Sequence, residues 1–541
     1  MEKRKGRSFF KFSTGILITL LTIMPYAVGS PSMAAEKPQY GGTLTQVVGA
    51  DLPSYDGHQE YTYSVLYATA PHYNLLLKFD AENYPKIIGD LAESWTISKD
   101  QKAYTFKIHK GVKFHDGSLL TAKDVKASYD HFIFPPQGVV STRKAFYSVV
   151  EKVEAPDDRT VVFHLKWPAA SFLGSLASPW NFIYKAEILA KDPHWYKKNV
   201  MGSGPFKFTE HVAGAYWAGK RNEDYFVKGR PYLDGFRVVF IRDRGTRAAT
   251  IRGGRIHADF RGEITPSQRD EIVRALGGKI QAEETNLITA TTTIFNTEQK
   301  PFNDPRVRRA LTLAIDRWAG SKILYKISNE KEVGGLLRPG SEFAMSETEL
   351  TKVAGFSKDI AASRKEARRL LREAGVPEGF GFELIRPPTP NYEPQAIFFI
   401  DQWRQIGLNV TQKGQEWGLH DADLRKGTYK VAFSAIAGFM DEPDLQFIIF
   451  LSADKSPRNF GRYTDRLLDD LYERQSRTMD PVERRKLCHQ FEKRVLDEMA
   501  YVFPVLWSTR NVLLSSKVKG WRGLPNAYLN QDLADVWMEK D

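Results

Sequence analysis

Two hydrophobic rhythms alternate along this chain. Residues 104–109 (YTFKIH) set Tyr104, Phe106 and Ile108 on one face and Thr105, Lys107 and His109 on the other. Residues 159–166 repeat the pattern with Val161, Phe163 and Leu165. A period of two marks a strand with one buried side. Elsewhere the period lengthens to three or four. After Asp304 as N-cap and Pro305 at the first helical position, Val307, Ala310, Leu311, Ala314 and Ile315 form one apolar stripe. Residues 363–377 do the same with Ala367, Leu370, Leu371 and Ala374, closed by Gly375 and stopped by Pro377. Asp480, Pro481 and Glu483 open a further helix. Between the strand at 104–109 and the next helix, Asp116-Gly117 predicts a turn, and Thr121 with Asp124 predicts the cap of a helix carrying Val125 and Tyr129. No period of 20 to 50 residues recurs, which excludes solenoids and propellers. The pattern predicts an α/β chain with at least two sheets.

At 541 residues the chain exceeds one compact core and predicts two or three domains. Its first 35 residues differ from the rest: five Lys/Arg and one Glu, then an apolar run (GILITLLTIM), then small residues (SMAAE). That order predicts a secretory signal peptide, with a retained anchor as the alternative. No Cys stands near the expected cleavage, so lipid attachment at a new N-terminus is not expected. Removing residues 1–35 takes away five positive charges and one negative, so the net charge falls from +12 to +8. The remaining positive charge is dispersed; even RKEARRLLRE alternates in sign as on a wetted helix face, which argues against nucleic acid as a partner. The lone Cys488 cannot form an internal disulfide and reads as a small packed side chain.

Catalytic motifs are absent. None of the eleven histidines is followed by Glu, so HExxH is missing, and neither GxSxG nor GxGxxG occurs. Residues 214–221 (GAYWAGKR) match GxxxxGK, but Arg221 stands where a phosphate loop needs Ser or Thr for Mg²⁺; two strand segments around a turn fit better. His109 and His115 have no third and fourth ligand placed near them, so no metal site is expected. Adjacent carboxylates such as Glu283-Glu284 and Asp469-Asp470 do not by spacing argue acid–base work. A protein that binds without catalysing is the expectation, and no cofactor is called for.

Several segments, in order, resemble the family 5 extracellular solute-binding proteins of bacterial ABC importers. They are LAESWTISKDQKAYTFKIHKGVKFHDGSLLTAKDV, GSGPFKF, RNEDYFVKGRPYLDGF, FNTEQKPFNDPRVRRALTLAIDR, EARRLLREAGVPEGFGFEL and MDPVERRKLCHQFEKRVLDEMAYVFPV. The resemblance implies a two-lobed periplasmic-binding-protein type II (Venus flytrap) fold with an extra subdomain in lobe I. The expected division is signal peptide 1–35, lobe I 36–80, extra subdomain 81–198, lobe I again 199–295, lobe II 296–505 and a return to lobe I at 506–541. Crossing strands are expected near residues 295–297 and 505–510. The implied setting is periplasmic, as a monomer. The implied partners are a small-molecule ligand and an inner-membrane ABC permease with its cytoplasmic ATPase.

The resemblance also proposes a site. Relatives that bind dipeptides pair an Arg with the ligand carboxylate, line the pocket with a Trp at the end of a strand, and pair an Asp with the ligand amine. Those positions fall on Arg386, Trp417 and Phe439, so the amine partner is replaced by an aromatic ring, and Asp441 lies two residues further on. Tyr55, Tyr73, Asn74, Asn296 and Asn459 are further cleft candidates. A carboxylate-bearing solute (opine-like, an organic or aromatic acid, or a modified peptide) is the reading favoured by Phe439. An unmodified peptide held through Asp441, a hydrolase on the same scaffold, and a receptor that presents its ligand to a membrane sensor are the alternatives.

Overall fold

Two long strands, Ile280–Phe295 and Val502–Ser515, carry the architecture. The computed structural model describes residues 37–540, apart from 263, 390 and 439. The expected signal peptide at 1–35 and Phe439 therefore lie outside the described residues. The two strands pair antiparallel along most of their length at the centre of an eleven-stranded sheet. On one side follow Val431–Ala437, Gly381–Arg386 and Asn409–Gly414; on the other follow Ala258–Asp259, Thr43–Val48, Gly235–Phe240, Tyr216–Arg221 and Phe206–Val212. We propose that the first set belongs to lobe II and the second to lobe I. This is the mixed α/β, two-lobed arrangement that the sequence led us to expect.

The register explains how one pair of strands serves two lobes. From Ile280 to Asn286 the first strand pairs with Ser515 to Thr509; from Ala290 to Ile294 it pairs with Trp507 to Val502, with register shifts on both sides of Ala290. Pro504 has no N–H to donate and stands beside the second shift, where a break in the ladder costs least. Burial changes at the same place. The first half of Ile280–Phe295 is largely half-buried or exposed, whereas its last six residues are buried. The expected division after residue 295 sits at the lobe II end of this strand, and that after 505 lies inside its partner; we keep both as proposed limits of the crossing.

A separate four-stranded antiparallel sheet forms the extra subdomain, in the order Ala92–Ile97, Ala103–Ile108, Thr160–Leu165, Val150–Asp157. The residues that alternate in sequence are its core: Tyr104, Phe106, Ile108, Val161, Phe163 and Leu165 are all buried, against Val125, Tyr129 and Phe132 of the helix Ala122–Ile133. Thr121 and Asp124 form the predicted capping box. Asp304 caps Pro305–Leu313, and Gly375, at φ +71°, follows the helix Ile360–Glu373 in a conformation that a side chain disfavours. Residues 214–221 differ in detail from the expectation: Gly214 and Ala215 lie in the turn after Phe206–Val212, and the remainder is the single strand Tyr216–Arg221. Cys488 is buried in the lobe II core. Among the described residues, no helix is long and apolar enough to cross a membrane.

Candidate functional site

In lobe II, Gly381–Arg386 runs parallel to both Asn409–Gly414 and Val431–Ala437, so the carboxyl ends of three neighbouring strands point the same way. Crevices outside such ends are where α/β sheets bind ligands. Arg386 is the last residue of the middle strand and pairs in register with Gly414. A Cβ on Gly414 would stand 3.1 Å from Arg386 Nη1, so the bare strand end gives the guanidinium its room. Arg386 is buried; its Nε donates to Gln412 Oε1 at 2.5 Å and its Nη1 to the Pro387 carbonyl at 3.2 Å. Nη2 lies 3.2 Å from Glu393 Oε2, a carboxylate whose side chain is 56% exposed. Trp417 stands beyond the next strand end, but as the first residue of the helix Trp417–Lys426 and not on a strand. It is 52% exposed and meets Tyr392 edge-on at 6.3 Å. Phe439 is not described, yet its neighbour is: Gly438 N–H donates to the Ile288 carbonyl at 3.1 Å, and Ile288 N–H donates to the Pro525 carbonyl at 3.1 Å. A residue at the register break thus links the third strand end to the C-terminal segment.

Asp441 is differently placed. Arg338 donates Nε to both of its oxygens at 2.9 and 3.0 Å and Nη2 to Oδ2 at 2.6 Å, with side chains 9% and 6% exposed. Tyr84, from the extra subdomain, donates to the same carboxylate at 3.0 Å. Burial, and then the Asp441 charge, push the Tyr84 hydroxyl far up, so it stays a donor. The loop that ends in Arg338 is pinned from behind: Glu492 Oε1 accepts the N–H groups of Leu336 and Leu337 at 2.6 and 3.1 Å. Burial raises that carboxyl to about 8. Three more contacts join the extra subdomain to lobe II. Ser171 Oγ donates to Asp444 Oδ2 at 2.6 Å, Ala170 N–H to the Ser476 carbonyl at 2.9 Å, and the Arg477 guanidinium lies 5.2 Å over the Trp167 ring. The lobes therefore meet across a seam.

Behind the seam lies a cavity of about 950 Å³, walled by the extra subdomain (Tyr84, Leu173), lobe II (Arg338, Phe343, Met440, Asp441) and the C-terminal segment 522–525. Its size suits one small solute. Asp441 lines it; Arg386 and Trp417 do not. The other candidates are held by neighbours. Tyr55 bonds His211 at 2.9 Å and packs edge-on against Trp217. Asn74 bonds Asp90, Tyr225 and Ser203. Asn296 donates to the carbonyls of Gly427 and Tyr429, and Asn459 to those of Leu451 and Tyr463. These are the loop-fixing bonds that Asn makes readily. Tyr73 is buried against Phe182 and lines a second cavity. Arg338 and Tyr84 were missed because their partner lies 103 and 357 residues away. His115 faces the Gly204 carbonyl at 3.0 Å, and burial lowers it to about 4. Among the described residues, no three His, Cys, Asp or Glu side chains gather as metal ligands.

Comparison with known proteins gives this geometry its context. The chain is 27% identical over 482 residues to the heme-binding protein A of Haemophilus influenzae, covering 84% of this chain and 85% of that one. The periplasmic binding protein DppA of Helicobacter pylori, solved with the peptide STSA, is 26% identical, with a TM-score of 0.76 over 93% of this chain and 99% of its own. AgaA of A. tumefaciens R10, solved with agropinic acid, is 25% identical, with a TM-score of 0.76 over 92% and 99%. Residues 86–458 match the family model of the bacterial extracellular solute-binding proteins, family 5. Two lobes joined by crossing strands, a cavity between them, and a family match over most of the sequence agree: this chain belongs to the family 5 extracellular solute-binding proteins of bacteria.

Proposed function

We propose that this protein captures a small carboxylate-bearing solute between its lobes in the periplasm and delivers it, as a monomer, to an inner-membrane ABC permease driven by a cytoplasmic ATPase. An opine-like compound, an organic or aromatic acid, or a modified peptide fits this description. The observation that carries the reading is the contrast in how two charges are held. Arg386 offers Nη2 to an exposed carboxylate, a contact worth little in water and easily exchanged for a ligand carboxylate. Its planar fork suits two parallel bonds to such a group. Asp441 already holds Arg338 in a buried two-point pair, and drawing it away toward a ligand amine would leave that guanidinium uncompensated. Because Arg386 and Trp417 stand outside the 950 Å³ cavity, this reading places the ligand at the strand ends of lobe II, flanked by Trp417 and Phe439. Agropinic acid in AgaA is a precedent for such a guest.

The peptide reading keeps one observation in its favour. Five carboxylates line the interlobe cavity (Glu82, Glu283, Glu342, Asp441, Glu442) against three arginines, Arg338, Arg484 and Arg522, which suits an ammonium. The STSA complex of DppA is its precedent. Native mass spectrometry of freshly purified protein, followed by calorimetry with the guest it identifies, separates the two. A carboxylated non-peptide guest weakened by Arg386→Ala supports the first reading. An unmodified peptide whose affinity survives Arg386→Ala but not Asp441→Asn replaces it.

A further inference from the structure

A second cavity, of about 520 Å³, lies entirely on the lobe I side. Its walls come from residues 38–90, 177–182, 230–232 and 520–537, and no lobe II residue contributes. It therefore keeps its shape when the lobes part. It meets the interlobe cavity only at a rim of Phe79, Ala81, Glu82 and Arg522, which line both.

Aromatic rings supply much of the wall: Trp521 and Trp537, with Tyr232 and Tyr528 beside them. Trp521 is braced from behind by Phe260, stacked at 4.4 Å. Gln531 contributes an acceptor that the protein leaves unused. Its amide nitrogen donates to the carbonyls of Leu529 and Ala527 at 2.8 and 3.4 Å, which fixes the side chain's orientation. Its Oε1 is buried and has no donor. A buried acceptor without a partner is a standing cost that a ligand N–H removes. Charge adds a preference. Lys78 is paired with Asp532 at 3.0 Å and Arg230 with Asp535 at 2.5 Å, so these four cancel. Asp80, Glu82 and Asp90 then face Arg522 alone among the lining charges. Burial raises the Asp90 carboxyl, while Asp80 and Glu82 stand nearer solvent, Glu82 on the rim and Asp80 beside it. Asp80 accepts only from neutral groups, Asn83 and the Glu82 N–H, which leave its charge in place.

We infer that this cavity is a second ligand site, for a protonated arylalkylamine. The ring lies among Trp521, Trp537 and Tyr528, a ring N–H reaches Gln531 Oε1, and the ammonium sits at the Asp80–Glu82 rim, where aromatic faces also favour a cation. The site is independent of whatever is held between the lobes.

Tryptamine carries all three elements, and two relatives each change one. Indole-3-acetate reverses the charge, and 2-(1-naphthyl)ethylamine removes the ring N–H. Calorimetry on the whole mature protein should find tryptamine bound about tenfold more tightly than either. Gln531→Leu should weaken tryptamine by a similar factor and leave naphthylethylamine unchanged. Glu82→Gln, at an exposed turn that tolerates change, should weaken both amines and spare indole-3-acetate. A crystal of the tryptamine complex should place the ring beside Trp537. No binding at millimolar tryptamine, equal binding of the acetate, or loss of tryptamine binding in Arg386→Ala would each overturn the assignment, the last by moving the ligand between the lobes.

Discussion

Two arginines of lobe II, almost equally buried, are held in opposite ways. Arg338 sits at the seam, chelating a carboxylate that also accepts from Tyr84 across the gap between lobes. Arg386 sits at a strand end, where its outermost nitrogen meets only a solvent-exposed glutamate. Side-chain exposures of 9% and 11% do not distinguish them; the partners do. A charge whose partner is buried with it belongs to the framework, because removing either half strands the other. A charge whose partner is wet can change partners at small cost, which is what capture of a guest requires. Burial alone is thus a poor guide to function, and the exposure of the counter-charge is the better one.

The contrast can be broken at the seam first. Asp441→Ala leaves Arg338 buried and unpaired, and should cost about 3–5 kcal/mol of stability in chemical denaturation. The double replacement Arg338→Met with Asp441→Leu should recover most of that loss. A single variant as stable as the parent would show that the pair is not part of the framework. Next comes Arg386→Ala. It should weaken the natural guest by about 2 kcal/mol, or some thirtyfold by calorimetry, while the unfolding midpoint moves far less than in Asp441→Ala. If midpoint and affinity fall together, the distinction between the two arginines fails. Tyr84→Phe removes one bond across the seam without stranding Asp441, which keeps Arg338. A loss of about 1 kcal/mol in the balance of shut over open forms is expected, read as a larger scattering radius without guest.

A further effect appears only when pH is varied and concerns Glu492. Its carboxyl is raised by burial to about 8, above the ordinary carboxylate value of the unfolded chain. The folded form thus binds the extra proton between those limits, and its contribution to stability is complete below the unfolded value and lost as pH rises through about 8. Denaturation midpoints should fall from pH 5 to pH 8, and Glu492→Gln should flatten that slope. An unchanged slope in the variant would assign the pH dependence to other groups, Glu330 first, since burial raises it likewise to about 8.

Features that rest on local chemistry were legible in the sequence. The alternation at 104–109, the Thr121–Asp124 capping box, the Asp304 cap and the glycine stop at Gly375 each depend on residues a few positions apart, and each is found in the fold. The choice of Arg386 as a candidate followed from family resemblance, since nothing in its own neighbourhood marks it. Three things escaped. Trp417 opens a helix because the strand before it stops at Gly414, a boundary that a short apolar pattern does not define. Asn74, Asn296 and Asn459 have the side chain of a ligand contact, but nearby carbonyls, carboxylates and hydroxyls occupy them, and only the folded path of the chain brings those groups together. The Arg338–Asp441–Tyr84 cluster unites three distant segments, and no spacing rule reaches that far.

The bonds of the seam join protein groups alone and need no guest to form. Ser171 to Asp444, Ala170 to Ser476 and Tyr84 to Asp441 reward shutting by the same amount with or without one. Each adds vacant molecules that look occupied from outside, and a transporter that recognises only the shut outline would hydrolyse ATP on them for nothing. Weakening these bonds should therefore lower idle turnover of the importer at the expense of apparent affinity. The strength of the seam is then a setting between thrift in energy and grip on scarce solute.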